Sequence, residues 1–250
     1  PQVEVNYIYP YTGDEVGPNY LGRSSIDNLL ASTGRSNSNS KDAAYSIYVS
    51  NVVNITPELL AMASLRVDYF DTEGDITTDE DDFSQTALSP KFGLIYQPLR
   101  DKLSVFVNYM NGFRNVAPTQ VYDENGLNGS TKTFEPEHAD QLEFGVKTNL
   151  FSDRLAATVS YYDIKLSNLV TGDPNNIYNS LQGGKVESQG FEIDLSASPI
   201  YGLNLIAGYS HNESKVIEGD AANVWLETGR RPIYAGPTDL VNFWGTYTFK

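Results

Sequence analysis

The chain has 250 residues, with 17 Lys plus Arg against 32 Asp plus Glu, a formal charge of −15. It shows no clustered cations of the kind a phosphate backbone needs, which excludes nucleic acid as a partner, and no apolar run approaches the roughly 18 to 20 residues of a membrane-spanning helix. Seventeen Tyr, 11 Phe and two Trp are far more aromatics than a disordered acidic chain carries. The absence of Cys removes disulfides, thiolate metal sites and thiol nucleophiles, and only His138 and His211 offer imidazole. The first residues, Pro1-Gln2-Val3-Glu4, have neither a basic nor an apolar leader region, so the sequence reads as cytosolic or as an internal piece of a longer chain.

Period-2 alternation dominates and helical spacing is hard to find, so the class is all-β. In chain order the expected strands cover about 3–9, 44–53, 59–70, 89–97, 102–112, 139–149, 154–166, 188–198, 203–213 and 239–249. The clearest is 188–198, where Phe191, Ile193, Leu195 and Ala197 alternate with Glu192, Asp194, Ser196 and Ser198. Four pairs of these strands are joined by only about four or five residues rich in turn formers, such as Thr56-Pro57-Glu58 and Phe151-Ser152-Asp153. Between the pairs run segments of about 18 to 34 residues, read as long loops gathered at one end of the sheet. Short turns at one end, long loops at the other and strands with one apolar and one polar face are the pattern of an outer-membrane barrel. Tyr69, Tyr96, Tyr109, Tyr161, Tyr209 and Trp244 fall near strand ends, where girdle aromatics belong.

Residues 89–118, SPKFGLIYQPLRDKLSVFVNYMNGFRNVAP, and 134–169, FEPEHADQLEFGVKTNLFSDRLAATVSYYDIKLSNL, carry a series of recurring pieces. These are Ser89-Pro90-Lys91-x-Gly93, then Gly112-Phe113-Arg114, then Pro136-Glu137 with Glu143, Gly145 and Lys147, then Tyr161 to Lys165. Val186 to Asp194, Leu203 to Ser210 and Asn242 to Phe249 continue the series. In that order and spacing the sequence resembles the barrel of a TonB-dependent outer-membrane receptor of the siderophore-uptake type, over about residues 41 to 250.

The resemblance implies an antiparallel transmembrane barrel segment, about ten strands of a probable 22, with short periplasmic turns and long extracellular loops. The plug domain, the TonB-contacting segment and the remaining strands of such a receptor are absent from these 250 residues, so all of 1–250 reads as partial barrel. An open piece of barrel has unpaired edges and is expected to aggregate when expressed alone. The implied function is uptake of a ferric siderophore across the bacterial outer membrane, with no bond-making chemistry, no resident cofactor, a monomeric state, lipid around the barrel and TonB as the energising partner. A passive porin or adhesin, or a small barrel hydrolase with His138 beside Glu135 and Glu137, are the alternatives; no Gly-x-Ser-x-Gly elbow supports the last.

Residues suited to gripping a bulky chelate in the loops are Arg114, Tyr122, His138, Tyr178, Trp225, Arg230, Arg231 and Tyr234. Arg66, Asp68, Lys91, Glu143, Lys147, Glu192 and Asp194 are expected on the lumen face, paired with one another across strands or with the plug. The acidic run from Asp71 to Asp82 lacks EF-hand spacing and reads as a solvated loop. No metal site is expected.

Overall fold

The computed structural model describes residues 40–74, 82–123, 125–126, 129–173, 175–219 and 227–249. The strand expected at 3–9 and the candidate Trp225 lie outside the described residues. The described residues hold eleven strands and no helix: β1 (Ser40–Asn54), β2 (Leu59–Gly74), β3 (Phe83–Leu99), β4 (Leu103–Arg114), β5 (Thr119–Val121), β6 (Ser130–Lys132), β7 (Glu137–Leu150), β8 (Leu155–Asp173), β9 (Asn176–Ala197), β10 (Leu203–Glu218) and β11 (Asp239–Tyr247). Nine of them form one sheet in the order β1-β2-β3-β4-β7-β8-β9-β10-β11, every pair antiparallel. Strands β5 and β6 make a separate ribbon within the β4–β7 connection.

The tight turns form where the sequence places its turn residues. Thr56 Oγ1 accepts from the amides of Glu58 and Leu59 at 3.2 and 3.1 Å, closing β1 onto β2. Between β7 and β8, Phe151, Ser152 and Asp153 all take positive φ (56°, 58° and 64°). That conformation costs an L-residue about 1 to 2 kcal/mol. At the opposite end the strands outrun the alternation. Residues 167–173 and 176–187, expected as loop, continue β8 and β9 as one long hairpin broken by bulges after Leu166 and Leu169. Asn168 at φ 58° and Gly183 at φ 140° accommodate the shifts. Each bulge flips the side-chain parity, which erases the period-2 signal without ending the strands.

Residues directly opposite on antiparallel strands share a face. One row therefore runs Val53, Ala61, Leu94, Val107, Phe144, Tyr161, Phe191 across seven strands. The adjacent row, on the other face, runs Gly93, Asn108, Glu143, Tyr162, Gly190, Asn212. The first face is apolar and open, with Phe144 53% and Phe243 70% exposed, a continuous surface that only lipid or a protein partner could cover. Tyrosines border it toward the long connections. Tyr109 donates to Asp140 at 2.6 Å, Tyr161 to Gln189 at 3.1 Å and Tyr209 to Asp239 at 2.8 Å, so each ring stays on apolar ground while its hydroxyl is satisfied. Trp244 departs from the expected girdle. It is opposite Ile206, on the face that carries Glu192 and Asp194.

On that polar face bulky side chains lie across glycines. A Cβ at Gly190 would come within 2.2 Å of His211 O and 2.6 Å of the Tyr162 hydroxyl; one at Gly145 would meet Phe106 Cζ at 2.6 Å. Of the seven expected inward charges, Arg66 and Asp68 pair at 2.7 Å along one strand, with Ser46 also donating to an Asp68 that is only 1% exposed. Lys147 sits 5.1 Å over the Phe106 ring. Lys91, Glu143, Glu192 and Asp194 form no ion pair among the described residues.

Candidate functional site

Strands β3 and β4 stop pairing at Lys91 and Met110, whereas β4 stays with β7 as far as Arg114 opposite Glu137. The opening left beside β3 is closed by Gln85, whose amide donates to Phe134 O at 2.6 Å and accepts from the Val116 amide at 3.4 Å. Phe134 is buried there, and Phe70 meets Phe113 edge-on at 5.6 Å. The Arg114 guanidinium pairs with Glu137 at 2.6 Å. Glu137 is 6% exposed and also accepts from the Val170 amide at 3.1 Å. A buried carboxylate with both a cation and a backbone donor has the compensation its desolvation demands.

Beside this ion pair lies a cavity of 520 Å³ whose lining includes Phe113, Arg114, Glu137, His138, Leu169 and Tyr234. Tyr234 is 63% exposed, with part of its ring forming one side of the cavity. Desolvation against the cavity wall raises its phenol above the ordinary tyrosine range, the negative Glu137 adds to the rise, and Arg114 opposes it. His138 Nδ1 lies 3.4 Å from Asn111 Oδ1. The cavity thus offers an apolar wall, a neutralised guanidinium and a protonated phenol: groups for stacking and for donating to an oxygen-rich ligand, with no bare charge.

Three of the eight expected site residues, Arg114, His138 and Tyr234, meet in this cavity. Tyr122 and Tyr178 both lie at a second place, the contact between the β5–β6 ribbon and the extended β8–β9 hairpin. Asn179 accepts from the Tyr122 amide at 2.6 Å and donates to its carbonyl at 2.8 Å. Gln182 does the same for Glu135, at 2.9 and 2.7 Å. Each primary amide thereby mimics a strand neighbour, satisfying both backbone groups of one residue. The Tyr178 ring lies against Gly126, 3.1 Å from where a Cβ would be. Arg230 is paired with Glu227 at 2.7 Å, which holds its guanidinium charged above even the usual range. Arg231 is bonded to Asn212 and Gly236. Sequence reading passes over Asn179 and Gln182, and it names Glu137 only in the recurring motif and beside His138 in the hydrolase alternative. The pairing of Glu137 with Arg114 follows from strands that run past the expected ends at 112 and 139.

Residues 2–250 match the family described as TonB dependent receptor-like, beta-barrel. The chain belongs to the TonB-dependent receptor family. It is 28% identical over 137 residues to the metal-pseudopaline receptor CntO of Pseudomonas aeruginosa, covering 55% of this chain and 18% of that protein. Against the ferripyoverdine receptor of P. aeruginosa the identity is 26% over 212 residues, 81% of this chain and 23% of the relative. The catecholate siderophore receptor Fiu of Escherichia coli is 23% identical over 241 residues, 84% and 30% of the two chains. The chain spans less than a third of the length of each of these relatives.

In three dimensions the fold matches the crystal structure of the ferripyoverdine receptor of P. aeruginosa bound to ferripyoverdine, with TM-score 0.68 and 21% identity over 85% of this chain and 27% of that one. It matches the closed form of Fiu from E. coli with TM-score 0.68 and 20% identity, over 84% and 32%. The nine-stranded sheet is thus a segment of a TonB-dependent receptor barrel in the bacterial outer membrane, its apolar face toward lipid, its polar face toward the lumen, and its long connections extracellular. The family is one of receptors and transporters.

Proposed function

We propose that this chain is part of a receptor that takes up ferric siderophores across the outer membrane, energised by TonB through a plug that the barrel encloses. The observation that carries the reading is the cavity of Arg114, Glu137 and Tyr234 at the extracellular end of the lumen face, in a barrel whose relatives are named for metal-pseudopaline, ferripyoverdine and a catecholate siderophore. An aromatic wall with satisfied donors suits a large, oxygen-rich chelate, because stacking and hydrogen bonding grip it without a covalent step. Iron arrives inside its chelate as cargo, so the protein needs no resident metal. The rest of the barrel supplies further strands and loops around the same lumen, the complete receptor acting as a monomer.

The test is calorimetric titration of the complete, detergent-solubilised receptor with a ferric trihydroxamate, a ferric tricatecholate and a ferric pyoverdine. One class is expected to bind, and Tyr234→Ala and Arg114→Ala to weaken it by about tenfold each, the effect of losing one hydrogen bond to a polar or charged group. Binding by none of the three overturns the siderophore reading and leaves the barrel assignment intact.

A further inference from the structure

Tyr234 lies between β10 and β11, whereas the other residues of the cavity it lines come from β4, β7 and β8. Past Glu227 the chain turns back along β10. The Val216 amide donates to Arg230 O and the Gly229 amide to Val216 O, each at 2.8 Å; farther on, the Asn212 amide donates to Thr238 O at 2.7 Å. Residues 231–237 arch between these two sets of bonds. Within the arch the Ala235 amide donates to Pro232 O at 3.0 Å, making a turn with Ile233 and Tyr234 as its central residues. Pro232 is fully buried beneath it.

Arg231 closes the arch. Its Nη1 donates to Asn212 O at 2.9 Å, and its Nη2 donates to Asn212 Oδ1 at 3.1 Å and to Gly236 O at 2.6 Å. One planar fork therefore ties the strand to the far foot of the turn, which a lysine's single ammonium reproduces poorly. Asn212 is itself immobilised: its amide donates to the Tyr162 hydroxyl at 2.8 Å and to Ser188 at 2.7 Å, while Ser214 donates to its Oδ1 at 2.7 Å. Arg231 is absent from the cavity wall that Tyr234 forms. The side chain of Arg230, one residue earlier, pairs instead with Glu227 at the surface.

We propose that Arg231 is a positioning residue which locks the Pro232–Ala235 turn onto β10 and so holds Tyr234 against the Arg114–Glu137 cavity. For ligand recognition the inference rests on that cavity being the chelate site; the positioning itself does not. In the complete receptor, 3-fluorotyrosine at position 234 gives a fluorine resonance that reports its surroundings and its titration without any chelate. Arg231→Ala is expected to shift that resonance and bring its titration midpoint down toward that of the free amino acid. Arg231→Lys should fall between, Asn212→Ala should follow Arg231→Ala, and Arg230→Ala should leave the signal in place. With the ferric chelate that wild type binds, Arg231→Ala should weaken binding by about tenfold, and adding Tyr234→Ala should change it no further, since both act through one ring. If Arg231→Ala prevents folding, Arg231→Lys and Asn212→Ala decide the matter. An unchanged fluorine spectrum in the folded variants, or losses that multiply in the double variant, overturns the proposal. A wild type that binds none of the chelates removes the recognition role alone, and the fluorine result still decides the positioning.

Discussion

Neighbouring residues Phe144 and Glu143 face opposite media, and one substitution made at each position separates them. Phe144 lies between Val107 and Tyr161 on the lipid face, with its ring 5.3 Å from Tyr161. Glu143 lies between Asn108 and Tyr162 on the lumen face, without an ion-pair partner among the described residues. A phenylalanine side chain that is 53% exposed presents roughly 100 Å² to lipid, so removing it forfeits about 2.5 kcal/mol of apolar burial. Placing a guanidinium there adds about 2 to 4 kcal/mol near the bilayer midplane. Phe144→Arg should therefore cost on the order of 5 kcal/mol, whereas Glu143→Arg, in water, should stay within about 1 kcal/mol. The assay is urea titration of the complete receptor refolded into phospholipid bilayers, read by the heat-dependent mobility of the folded barrel on gels. Equal costs at the two positions, or a greater cost at Glu143, would refute the assignment of the faces.

Gly190→Ala should destabilise the barrel by about 1 to 3 kcal/mol in the same titration, because its methyl would meet backbone His211 O at 2.2 Å and neither strand can move away without breaking the ladder. Ser152→Gly should stabilise it by about 0.5 to 1 kcal/mol, the left-handed cost at φ 58° less the extra entropy of glycine in the unfolded chain. For Tyr234 the folded-state pKa is raised, so the neutral phenol favours the folded form. Its share of stability is complete below the ordinary tyrosine pKa and is lost as pH climbs through the raised value. Difference absorbance of wild type minus Tyr234→Phe should show ionisation later than for a free tyrosine, and coincidence with free tyrosine would contradict the site geometry.

The strands were legible wherever one face stayed apolar without interruption, as in Phe191-Glu192-Ile193-Asp194, because pleating converts burial directly into period 2. The hairpin above Leu166 and Val186 was not, since bulges at Asn168 and Gly183 change parity within a few residues and its polar side chains serve backbone partners. The cavity was partly legible. Arg114, His138 and Tyr234 attract notice by residue type alone, but that Arg231 grips Asn212 and Gly236 depends on a loop path no pattern encodes. Trp244 shows the same limit from another side. An aromatic near a strand end suggests a girdle, yet the face is set by register, and register put it opposite Ile206.

The unpaired inward charges bear on what the lumen can let through. Lys91, Glu143, Glu192 and Asp194 form no ion pair among the described residues, and stripping such ions of water costs several kcal/mol. An oily solute entering that space would have to strip those shells and could return nothing to the ions. A wall carrying such ions favours polar neighbours over oily ones, because a polar group facing it exchanges one set of hydrogen bonds for another.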